Sequence, residues 1–117
     1  MEYAIKEVAQ IIGASTQTLH DDTISLLLTD SRRLSFPEQS LFFALVTKTN
    51  NGHRYIQDLY QLRVRNFVVS ELRPEFARMP EANFLLVKDT LRALQRLAAY
   101  HRKRFHIPVI GITGSNG

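Results

Sequence analysis

The 117 residues are 44% hydrophobic and 22% charged, values of one globular domain rather than of a disordered, collagen-like or coiled-coil chain. The absence of cysteine excludes a disulfide framework, thiol catalysis and Cys-type zinc sites, and the longest apolar runs fall far short of the ~20 residues that span a bilayer. The formal charge of +4 is unevenly placed, with −1 over residues 1–89 and +5 over residues 90–117, where no carboxylate occurs.

Ile5, Val8, Ala9 and Ile12 recur at helical spacing with Gly13 after them, which predicts an opening helix. The start MEYAIKEVAQ has no apolar core, so no signal peptide and a cytoplasmic protein are expected. Residues 24–28 form a short apolar run, expected as a buried strand ending in Thr29-Asp30-Ser31-Arg32. Pro37 and its polar followers predict a turn, and 41–45 a second buried strand. Asn50-Asn51-Gly52 breaks the chain before a helical stripe of Tyr55, Ile56, Leu59, Tyr60 and Leu62.

Phe67-Val68-Val69 predicts a third strand, 71–83 a loop region with Pro74 and Pro80 and room for a helical turn, and 84–87 a fourth strand. Asp89 or Thr90 then caps a helix with Leu91, Leu94, Leu97, Ala98 and His101 on its buried side and Arg92, Arg96 and Lys103 opposite. Pro108 stops that helix, and 109–113 is an apolar strand running into Gly114-Ser115-Asn116-Gly117. Strands alternating with helices predict the α/β class: a small, mainly parallel sheet with helices on both faces.

Three segments are candidates for chemistry. The final GITGSNG follows an apolar strand, and small residues there let backbone N–H groups face phosphate oxygens. The strict phosphate-loop pattern requires a glycine where Ile112 stands, and a flexible glycine-rich tail explains the composition equally well. Thr29, Ser31 and Arg32 sit at a strand's carboxyl end, where hydroxyl and guanidinium suit phosphate or ribose; a self-bonded turn is the plainer reading. Asn50 and Asn51 precede a helix start and serve either a polar ligand or simple capping.

His20, His53, His101 and His106 lack metal-ligand spacing, so no metal site is expected, and His101 is read as a core or boundary histidine. No Ser-His-Asp or paired-carboxylate pattern supports a catalytic residue. Arg63, Arg65 and Phe67 invite an RNA reading, against which Phe67 lies in an apolar run. The 92–104 helix leaves open a small basic module that binds RNA or a protein partner, although a solvated face accounts for the same charges.

Taken together and in order, TDSRR at 29–33, LFFAL at 41–45, NNGHRYI at 50–56, NFVVSE at 66–71 and GITGSNG at 111–117 resemble the amino-terminal part of the Mur ligases, which build the peptide of bacterial cell-wall precursors. Residues 87–105 are most similar to the members that add D-alanyl-D-alanine to UDP-N-acetylmuramoyl-tripeptide. The resemblance implies a UDP-substrate-binding domain over 1–106 and, over 107–117, the first strand and partial phosphate loop of a central ATPase domain. By position it implies uridine-diphosphate contacts at Thr29, Ser31 and Arg32, a uracil and ribose loop at Thr49, Asn50 and Asn51, and ATP phosphate-loop positions at Thr113, Gly114, Ser115, Asn116 and Gly117.

The partners implied are UDP-N-acetylmuramoyl-tripeptide, D-alanyl-D-alanine and ATP, with magnesium, and neither a membrane nor nucleic acid. Pyridoxal phosphate enters only with a fused alanine racemase, a branch suggested by departures from the usual pattern: a longer turn at 35–40, Thr47 for a common glycine and Asn51 for the usual aspartate. Catalytic groups are expected outside residues 1–117, so the chain alone is expected to be inactive as a ligase.

Overall fold

The computed structural model describes residues 2–17, 19–30 and 34–105, with side chains to residue 103. The expected end of the helix at Pro108, the strand at 109–113, the glycine-rich segment and the boundary at 106/107 lie outside the described residues, as do Ser31 and Arg32.

The order is β1 (Tyr3–Ala4), α1 (Ile5–Ile12), β2 (Thr23–Ile24), β3 (Leu26–Leu28), β4 (Ser40–Phe43), α2 (Ile56–Gln61), β5 (Asn66–Val69), β6 (Asn83–Leu86) and α3 (Thr90–Phe105). Short 3₁₀ turns occupy Pro37–Gln39, Gly52–Tyr55 and Pro74–Arg78, the last being the helical turn for which the 71–83 loop region left room. β3, β4, β5 and β6 form one sheet in chain order, every pair parallel, while β1 and β2 make a separate antiparallel pair.

The pleat divides the apolar runs between two faces. Leu41, Phe43, Val68 and Leu85 pack with Ile5, Val8 and Ile12 of α1 and Ala93 and Leu97 of α3. Phe42, Phe67 and Val69 pack on the other face with Ile56 and Leu59 of α2 and Phe76 of the third 3₁₀ turn. Phe42 meets Phe67 edge-on, and Phe84 is stacked between Phe67 and Phe76, 4.2 Å from the latter. Burying each such ring contributes about 1.5–3 kcal/mol. Helices therefore cover both faces of a parallel sheet, as the alternation of elements predicted.

α1 ends as expected, with Gly13 in the left-handed region at φ 67°. The expected 24–28 strand is instead divided at Ser25, since Thr23–Ile24 pairs with β1 and Leu26–Leu28 with β4. Its burial is also partial: β3 is an edge strand, and Leu26 is 39% exposed. Leu62, assigned to the stripe of α2, is exposed because α2 has ended at Gln61.

The buried side of α3 differs in phase from the expectation. Thr90, Ala93 and Leu97 are buried, Leu94, Ala98 and His101 are half-buried, and Leu91 is exposed. Thr90 sets this rotation by donating its hydroxyl to the Ala44 carbonyl oxygen at 2.8 Å, and the small Ala93 faces the sheet one turn later. Asp89 supplies the cap, its Oδ1 accepting from the Arg92 N–H at 3.1 Å. Arg92, Arg96 and Lys103 are exposed as predicted.

Candidate functional site at the carboxyl edge of the sheet

Because all four strands run the same way, the segments after β3, β4, β5 and β6 emerge at one edge, the usual ligand edge of an α/β sheet. Thr29 leaves β3 exposed, and Thr49 and Asn50 are exposed in the loop that follows its neighbour β4. The topology thus brings Thr29 and 49–51 to adjacent positions on that edge.

The 47–51 loop is a closed turn. Thr47 N–H donates to the Asn50 carbonyl at 2.8 Å, and Asn50 N–H donates to Thr47 Oγ1 at 3.1 Å. Val46 and Asn51 then form an antiparallel bridge. The Tyr55 hydroxyl reaches Asn50 Oδ1 at 3.4 Å. Gly52 is required by close approach: a Cβ there would lie 2.9 Å from Leu45 N and 3.0 Å from both Ala44 Cα and Leu45 O, all backbone atoms.

Behind the loop lies a polar chain that sequence reading did not assemble. Asn51 Oδ1 accepts the His53 N–H at 3.0 Å and meets His53 Nδ1 at 2.6 Å. His53 Nε2 accepts the Ser70 N–H at 3.0 Å, which ties the loop to the end of β5. Glu71 lies beside this chain, and its Oε2 takes the Arg73 Nε at 2.7 Å. Capping, the plainer reading of Asn51, is what its Oδ1 does.

His53 is 1% exposed, and this burial pushes its pKa below the ordinary 6.5. The neighbouring Glu71 acts in the opposite direction and Arg73 adds to the lowering. Glu71 is held below its ordinary 4.5, first by the hydrogen bond from Arg73. The signal available in the sequence was Asn51 two residues before a histidine, a cap spacing that also presents the amide oxygen to the imidazole.

Other candidates separate from this edge. Phe67 is fully buried, and Arg65 lies on Tyr60, 4.2 Å from the ring centroid, while donating to the Tyr60 and Val64 carbonyls. Those residues do not form an RNA-stacking surface. His101 meets the Tyr3 hydroxyl at 3.0 Å, a boundary histidine as expected. A cavity of about 660 Å³ lies beside the opposite edge strand β6, between Ser15–His20 and Leu72–Phe84, but Thr29, Thr49, Asn50 and Asn51 do not line it. Among the described residues no helix is long and apolar enough to cross a membrane.

No family model matches the chain. It is 37% identical over 102 residues to the UDP-N-acetylmuramoyl-tripeptide--D-alanyl-D-alanine ligase of Synechocystis sp., covering 87% of this chain and 22% of that protein. The chain belongs to the Mur ligase family. The Bacillus subtilis enzyme of the same name is 31% identical over 117 residues, covering 97% of this chain and 24% of its own length. Among solved structures, a UDP-N-acetylmuramoylalanyl-D-glutamyl-2,6-diaminopimelate--D-alanyl-D-alanyl ligase from Acinetobacter baumannii shares the fold, with a TM-score of 0.77 over 89% of this chain and 22% of that one at 22% identity. The chain thus spans less than a quarter of these Mur ligases and corresponds to their amino-terminal part.

Proposed function

We propose that this chain is the UDP-substrate-binding part of a cytoplasmic, ATP-dependent Mur ligase that joins D-alanyl-D-alanine to UDP-N-acetylmuramoyl-tripeptide. The observation that carries this reading is the convergence of Thr29 and the 47–51 loop at the carboxyl edge, within a chain 37% identical to a ligase of that name. Thr29, Ser31 and Arg32 hold the diphosphate, and Thr49 and Asn50 present hydroxyl and amide groups to ribose and uracil. Asn51, whose oxygen already serves His53, keeps those two in place.

Residues 1–106 form the nucleotide-binding domain, and Thr113, Gly114, Ser115, Asn116 and Gly117 open the phosphate loop that takes ATP. In the reaction ATP phosphorylates the tripeptide carboxylate, the dipeptide amine attacks the acyl phosphate, and phosphate leaves from the tetrahedral intermediate. Magnesium, when bound with ATP, neutralises charge on the transferring phosphoryl group. This chain's share is binding and orientation, which raise the effective concentration of the carboxylate at the reacting centre.

Calorimetry of the chain with UDP-N-acetylmuramoyl-tripeptide tests the assignment. Saturable heat is expected, lost in Thr29→Val and reduced in Asn50→Ala, and no heat at millimolar ligand counts against it. The pure chain is expected to show no ATP hydrolysis; turnover would refute the placing of catalysis outside it.

A further inference from the structure

We infer that His53 is a positioning residue for the nucleotide loop, joining residues 47–51 to the end of β5 through both ring nitrogens, and that it does so only as the neutral imidazole carrying its hydrogen on Nδ1. The inference rests on the nucleotide-site reading for what the loop binds, but the device itself is read from hydrogen-bond geometry.

The tautomer follows from the partners. The Ser70 N–H can only donate, so Nε2 at 3.0 Å must offer its lone pair. The neutral ring then bears its hydrogen on Nδ1, which points at Asn51 Oδ1 2.6 Å away. The Asn51 amide is oriented independently, because the same oxygen accepts the His53 backbone N–H at 3.0 Å.

A second proton on Nε2 would set two donors against each other at 3.0 Å. At 1% exposure water does not reach the ring to compensate, so the Ser70 bond breaks and the loop parts from β5. The charged groups facing the ring are Glu71, which favours the imidazolium, and Arg73, which opposes it. These two are paired with each other at 2.7 Å, so burial decides the protonation state. Gly52 adds the mechanical link, since its N–H donates to Leu45 O at 2.7 Å and its backbone leaves no slack against residues 44–45.

The two amide replacements each reproduce one nitrogen. His53→Asn places a donor near Nδ1 and nothing at Nε2; His53→Gln reaches the Nε2 position and leaves Asn51 Oδ1 without its ring partner. Amide hydrogen exchange reads the device without ligand, and calorimetry with UDP-N-acetylmuramoyl-tripeptide reads its effect at about pH 8 and about pH 5.5.

In the native chain, protection at Asn51, Gly52 and Ser70 and affinity for the probe are expected to fall together between those pH values, by less than the roughly tenfold that an imidazole titrating at its ordinary pKa would give. In His53→Gln both are expected to lose their pH dependence, with affinity about tenfold weaker at the higher pH. His53→Asn is expected to expose the Ser70 amide specifically. Unchanged protection in both variants and across pH in the native chain would overturn the inference, and the native pH series serves should a variant fail to fold. Protection that responds as described in a chain that does not bind the probe would instead remove the nucleotide reading and leave the His53 device standing.

Discussion

Two polar networks sit at opposite ends of the same sheet. At the amino end, Asn66 and Asn83, the first residues of β5 and β6, are both buried, and Asn83 Nδ2 donates to Asn66 Oδ1 at 2.9 Å. Asn83 also donates to the His20 carbonyl at 3.0 Å and accepts the His20 N–H at 2.7 Å, while Asn66 donates to Asp22 Oδ2 at 2.8 Å. This network fastens the α1–β2 connection to the sheet, with its two asparagines buried and His20 at the surface. At the carboxyl end, the His53 network contains a titrating ring and adjoins the exposed Thr49 and Asn50. The difference teaches where to look: the same amide chemistry fastens a connection at the strand starts and borders exposed polar side chains at the strand ends, the edge where α/β sheets hold ligands.

Breaking the amino-end network gives the largest expected effect. Asn83→Ala strands Asn66 Oδ1 and both His20 backbone groups, and a loss of about 3 kcal/mol in chemical denaturation is expected. Next is Gly52→Ala at the other end, where backbone atoms at 2.9 Å must move; about 2 kcal/mol is expected, together with altered exchange at 47–51.

Acid titration sharpens the contrast with a smaller effect. The His53 pKa is depressed on folding, so its contribution is complete above 6.5 and is lost as pH falls below that value, by at most about 1.4 kcal/mol per pH unit. Glu71, also depressed, withdraws its contribution only below 4.5. Urea midpoints measured down the pH scale should show the first loss in the native chain and not in His53→Gln. The smallest effect belongs to the basic helix face: the double variant Arg92→Gln, Arg96→Gln should change stability by less than about 0.5 kcal/mol, and steeply salt-dependent RNA binding by the native chain would give that face a role the sheet edge does not explain.

The parallel sheet was legible because its strands are short apolar runs between turn residues, and α1 because Ile5, Val8, Ala9 and Ile12 share a face. What escaped depends on partners distant in the chain. The phase of α3 is set by Thr90 meeting Ala44, and the break at Ser25 by β1 and β4 pulling on neighbouring residues. Asn66 and Asn83 each stand directly before the phenylalanine that opens an apolar run, and this paired Asn-Phe start is the visible trace of their contact. At the site, Thr29 and Asn50 were legible as polar residues after strands, whereas the value of His53 lies in Ser70, 17 residues away.

The packing of α1 against α3 has a consequence for how the protein is made. Each sheet strand pairs with the strand next to it in sequence, so the sheet is assembled in the order in which the chain leaves the ribosome. The apolar face of α1, by contrast, is completed by Ala93 and Leu97, and Tyr3 meets His101 across 98 positions. α1 therefore completes its packing only after α3 has been made, and until then the face of Ile5, Val8 and Ile12 has only its contacts with the strands.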